Sequence, residues 1–132
     1  MTIERIRPEG LVHSPAFSHV AIVPPGATTI YVGGQNSVAA DGSLVGEGDV
    51  AAQSIRTLQN VKTALAAVGA TIDDVVQWTV LFVDGVDLAA AYQAIGSQLA
   101  SDEPALVTAA RVAGLGVPGA LVEISAIAAV FR

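Results

Sequence analysis

Glu123 is the lone acid in an apolar run, Ala120-Leu121-Val122-Glu123-Ile124, and Arg111 is equally isolated among Ala109, Ala110, Val112 and Ala113. A carboxylate in such a run is costly to bury unless it is paired or faces a cleft. Glu123 therefore reads as a cleft group or as half of an interface ion pair. Arg111 could face a cleft, or pair with Glu123 or another acid across a subunit boundary. Gly33-Gly34-Gln35 offers a backbone that a ligand could approach closely, or a tight strand end. His13 and His19 have no third ligand at metal spacing, so a metal is not expected; no cofactor is expected either. The chain has no cysteine, which removes thiol nucleophiles, thiolate ligands and disulfides.

The elements that must position these residues follow from periodicity. The centrepiece is a helix between Gly48 and Gly69, capped by Asp49 and stopped by Gly69. Ile55, Leu58, Val61, Leu65 and Val68 recur at helical spacing and are expected to face the core, with Gln53, Arg56, Asn60 and Thr63 opposite. Strands are expected at Thr2 to Arg7, His19 to Val23 and Thr28 to Val32. The last two are separated by Pro24-Pro25-Gly26 and read as a hairpin. Val75 to Val83 is the clearest strand. Its Val76, Trp78, Val80 and Phe82 should pack on the main helix, and the mixed row Gln77, Thr79, Leu81 and Val83 suits a subunit contact. Asp73-Asp74 and Asp84 flank it as turn residues. A second helix spans Asp87 to Ala100, followed by strands from Pro104 to about Ala113 and from Leu121 to Phe131. The order β-ββ-α-β-α-ββ describes a single α+β domain, a mixed sheet with both helices on one side.

Bulk composition narrows the function. Of 132 residues, 52% are hydrophobic and only 14% charged, so the surface is hard to cover with polar groups and an oligomer is expected. The apolar runs fall well short of the ~20 residues of a membrane span. A formal charge of −6 without a basic cluster opposes nucleic-acid binding. The N-terminal residues lack a signal pattern, and a cytoplasmic location is the default expectation.

Several phrases together resemble the Rid (reactive intermediate deaminase) or YjgF family, also known as L-PSP endoribonucleases. They are Ile30-Tyr31-Val32-Gly33-Gly34-Gln35, Asp49 through Gln53, Leu58-Gln59-Asn60-Val61 and Val68-Gly69-Ala70 before Val75-Val76-Gln77-Trp78-Thr79-Val80. Pro118-Gly119-Ala120-Leu121-Val122-Glu123-Ile124 before Ala126-Ile127-Ala128 completes the set. The resemblance spans essentially the whole chain. It implies a chorismate mutase-like fold and a homotrimer with ligand clefts between subunits. In the active branch, those clefts hydrolyse enamines and imines to ketones and ammonia.

The same resemblance shows what is missing. Active members place an arginine for the substrate carboxylate after Pro-Ala, where this chain has Pro104-Ala105-Leu106; aligned backward from Leu115, the position falls on Val107. Phe17 stands where they have a tyrosine, Gly33 where they have a serine, and Tyr92 where an asparagine is expected. Glu123 and the Gly34-Gln35 loop remain. The resemblance thus assigns Glu123 the catalytic role of positioning water and moving protons and Phe17, Gly33, Gly34, Gln35, Tyr92, Leu106 and Val107 to ligand binding, with Arg111 a ligand-binding candidate that could replace the lost arginine. Two classes stay open. One is a small-molecule hydrolase or deaminase with weak or no activity on amino-acid-derived imines; the other is a non-catalytic trimer that binds a metabolite. Glu123 tilts the reading to the first.

Overall fold

The computed structural model describes residues 1–132. In chain order the elements are β1 (Glu4–Ile6), β2 (Val20–Ile22), β3 (Ala27–Gln35), α1 (Val50–Ala66), β4 (Val75–Val83), α2 (Leu88–Leu99), β5 (Leu106–Val112) and β6 (Val122–Phe131). A four-stranded sheet has the order β3-β6-β4-β5, and β1 and β2 form a separate ribbon. β6 is antiparallel to both β3 and β4, whereas β4 and β5 run parallel. A parallel pair needs a crossover, which α2 supplies. This is the α+β, chorismate mutase-like arrangement of a mixed sheet with two helices that the sequence implied.

Local chemistry accounts for the helix limits. The Asp49 carboxylate accepts from the Ala52 N–H at 3.0 Å, and Asp87 accepts from Ala90 in the same way at the start of α2. At the far end of α1, Gly69 adopts φ 76°. The Ala70 N–H then reaches back to the Leu65 carbonyl and the Gly69 N–H to that of Ala66, which satisfies the last carbonyls. In β4 the alternation holds: Val76, Trp78, Val80 and Phe82 are buried, while Gln77, Thr79, Leu81 and Val83 are half-exposed. The core lies between this row and the helices, with Leu58, Leu65, Ile95 and Ile124 among its fully buried side chains.

Three expectations are corrected. The hairpin between the second and third strands does not form: β2 pairs with β1, and β3 pairs with β6 from Ala27↔Phe131 to Val32↔Ala126. Tight hairpin turns need positive φ, which Pro24-Pro25 cannot supply, and the long β6 is the better partner for β3. The face of α1 is also rotated from the expected one. Ile55 and Val68 are 52% and 43% exposed in the chain, whereas Gln53, Ser54 and Thr57 are fully buried. Finally, α1 packs on β3, β6 and α2, and the β4 row runs beneath α2. Phe82 meets Tyr92 edge-on with ring centroids 5.8 Å apart, and Trp78 borders Gln98 and Leu99.

Candidate functional site

The two faces of the sheet divide the sequence candidates. Residues directly opposite on neighbouring strands share a face, and Glu123 lies opposite Leu81, which lies opposite Ala110. All three belong to the face away from the helices, where Glu123 is half-buried. Its carboxylate lies over Gly34: an ideal Cβ built there would be 2.8 Å from both the Glu123 Cδ and Oε2. Gly34 thus provides a backbone seat for the acid that no other residue type would leave open. Gly33 lines a shallow recess of about 220 Å³ on the same face, with Tyr31, Gln77, Thr79, Ser125 and Ile127. Leu106, opposite Gln77, also faces this side.

The local geometry of Gly33-Gly34 comes from the ladder. Between Val32↔Ala126 and Gln35↔Ile124 the β3 side has one residue more than the β6 side, a bulge. The extra residue turns Gln35 toward α1. Gln35 donates to the Gly33 carbonyl at 3.1 Å and lines a groove with Arg56, Asn60 and Thr63, away from Glu123.

The other candidates gather elsewhere. Phe17, Tyr92 and Val107 line one groove of about 420 Å³ together with Ala16, Val80, Ile95, Gly96, Leu99 and Ala109. Eight of its nine lining residues are hydrophobic. Phe17 is held edge-on against His19 with centroids 5.4 Å apart, and the Ser18 N–H donates to the Ala105 carbonyl at the edge of β5. Arg111 is exposed and lies opposite Phe82, so it shares the helix side of the sheet and not the side of Glu123. Within one chain, Arg111 and Glu123 therefore point to opposite faces. A polar groove of about 570 Å³ near β1 holds Arg5, Asp73, Asp102 and Glu103 but none of the candidates. Its arginine is occupied with the carbonyls of Asp73 and Val75.

Sequence reasoning did not single out Asn36 and placed Gln53 and Asn60 on the face away from the core, without a role in the site. Gln53 is fully buried and fully bonded: it donates to the carbonyls of Gly46 and Gly119 at 3.2 and 3.1 Å and accepts from the Leu121 N–H at 2.8 Å. Asn36 donates to the Val122 carbonyl at 3.0 Å. The available signal was an amide at Gln53 one helical turn before Thr57, but burial could not be read from it.

The seat at Gly34 yields a test. Gly34 does not have positive φ, so alanine is compatible with its backbone and the conflict falls on the mobile end of Glu123. Gly34→Ala should push the carboxylate aside while changing stability by less than about 1 kcal/mol. A crystal structure and a denaturant titration of the variant check both halves.

The sequence profile of the Endoribonuclease L-PSP family matches residues 11–130. The structure is similar to that of YyfB from Yersinia pestis, a Rid-family protein of unknown function, at 32% identity and a TM-score of 0.84. That match covers 98% of this chain and 100% of the other. The YjgF gene product of E. coli is similar at 31% identity and a TM-score of 0.67, covering 80% and 83% of the two chains. RidA of the Antarctic bacterium Psychrobacter shares the fold at 24% identity and a TM-score of 0.68, covering 90% and 98%.

Proposed function

Because this chain belongs to the Endoribonuclease L-PSP family, which includes the Rid and YjgF proteins, we propose that it is a cytoplasmic small-molecule hydrolase of the deaminase type. It works in clefts between the subunits of a homotrimer, on neutral or hydrophobic imines and enamines. The observation that supports this most is the Glu123 carboxylate seated over Gly34 on the uncovered face of the sheet. The apolar groove of Phe17, Tyr92 and Val107 lies on the opposite side. A cleft that uses both needs a second copy of the chain, one copy giving the acid and the other the apolar wall.

The chemistry is a hydrolysis that needs one acid–base group. Glu123 takes a proton from water as the water oxygen bonds to the imine carbon. The C=N electron pair moves to nitrogen, which takes that proton from Glu123. Glu123 then takes the hydroxyl proton of the resulting carbinolamine and gives it to the nitrogen as the C=O forms, the C–N bond breaks and ammonia leaves. The net change is imine plus water to ketone plus ammonia. RNA is a poor substrate for this surface, because a chain of charge −6 repels a phosphate backbone. No helix is long and apolar enough to cross a membrane.

Sedimentation equilibrium should give a trimer at micromolar concentration, and Glu123→Gln should abolish ammonia release from neutral imines while the trimer persists. A monomer would remove the composite cleft. A trimer that binds hydrophobic imines without turning them over would favour the metabolite-binding role instead, in keeping with the loss of the arginine at Leu106.

A further inference from the structure

We infer that Asn36 and Gln53 are positioning residues for the Glu123 carboxylate, an inference that rests on the acid–base role proposed above. The β3–β6 ladder ends at Gln35↔Ile124, so the residues of β6 that precede Ile124 have no backbone partner on the β3 side. Val122 and Glu123 still pair with β4, opposite Phe82 and Leu81, but with the β3 side open the strand start is held from one side only and the side chain it carries is less firmly fixed. Asn36 takes over where the ladder stops. Its side-chain amide donates to the Val122 carbonyl at 3.0 Å, standing in for the missing strand N–H.

Gln53 grips the same segment from the helix side. Its amide joins the Gly119 carbonyl and the Leu121 N–H, four and two residues before Glu123, and ties both to the Gly46 carbonyl ahead of α1. Burying an amide is unfavourable unless its donors and acceptor are all used, and here both N–H groups and the oxygen are. The two grips are linked through α1. Asn60 donates to the carbonyls of Asn36 and Val38, each at 2.9 Å, and is itself oriented by Arg56 Nε at 3.0 Å. One helix thus holds both the segment that follows the Gly33-Gly34 bulge seating the carboxylate and the strand start that bears it. Displacement of a catalytic group by even an ångström is enough to slow a reaction severely.

The test uses the intact protein labelled with carbon-13 at the glutamate carboxyls, the Glu123 resonance being assigned by its loss in Glu123→Gln. Asn36→Ala and Gln53→Leu should each shift that resonance and lower kcat on a neutral imine by about tenfold or more, with KM little changed. Val61→Ala, a core change in α1 that removes none of the hydrogen bonds of either grip, should lower thermal stability and leave the resonance and kcat in place. If Asn36→Ala or Gln53→Leu fails to fold, the half-exposed Asn60→Ala, which releases the Asn36 carbonyl, gives the same readout. An unmoved Glu123 resonance in the folded variants overturns the inference. Absence of turnover in the wild type would sink the proposed hydrolysis alone, because the resonance reports positioning without any substrate.

Discussion

Imines that carry a carboxylate, such as 2-iminobutyrate, should be hydrolysed slower by a factor on the order of hundreds than by an arginine-containing relative. A bidentate arginine–carboxylate contact in a partly dry site is worth roughly 2–4 kcal/mol, and each ~1.4 kcal/mol is tenfold in rate. Neither Leu106 nor Val107 can make that contact. Val107 is part of an apolar groove, where a substrate carboxylate would lose its water and find no donor in return. Leu106 faces the other side of the sheet and offers only a hydrophobic surface. Neutral imines escape this penalty, so the ratio of neutral to carboxylate-bearing rates should be inverted relative to the arginine-containing enzyme. The assay measures ammonia release from imines generated from several amino acids and from neutral amines, with both proteins side by side. Rapid turnover of the carboxylate-bearing set would overturn the argument. It would make Arg111 of a neighbouring subunit the first residue to mutate, since within one chain it lies on the face away from Glu123.

Trp78→Ala should destabilise the protein by about 3–5 kcal/mol, the range for deleting a large buried aromatic side chain. Trp78 is 2% exposed. Its register partners are Val107 on β5 and Ala126 on β6, and Ala105 lies nearby. These small side chains cannot expand into the space, so most of the cavity would persist and its cost with it. For a domain whose whole stability is roughly 5–15 kcal/mol, that is a substantial fraction. Reversible urea denaturation at one fixed protein concentration measures it, since assembly would otherwise shift the midpoint. A loss below about 1 kcal/mol would mean that Trp78 is not part of the core.

Features governed by nearest neighbours are legible in the amino-acid sequence. The start and stop of α1 depend on an Asp49 carboxylate three residues from its donor and on a glycine at positive φ, both local events. The alternation in β4 marks its buried row, because a strand has only two faces. Glu123 stands out as one charge in an apolar strand, and its place beside the Gly33-Gly34 segment agrees with the pairing of β3 and β6.

What depends on distant partners is not legible there. Pairing β3 with β6 instead of β2 is a competition between a nearby short strand and a remote long one, and the sequence between them does not state the winner. The burial of Gln53 has the same origin: an amide becomes a core residue only when two carbonyls and an N–H, two of them more than sixty residues away, converge on it. The split of the candidates between two faces is hidden for a related reason. Phe17, Tyr92 and Val107 share a groove because the parallel β5 brings the strand edge under α2, whereas Glu123 and Gly34 meet across the β3–β6 pair on the far side. Sequence determined which residues alternate and where helices begin; only tertiary pairing decided which face each one sees, because a face is set by the register of a strand against neighbours remote along the chain.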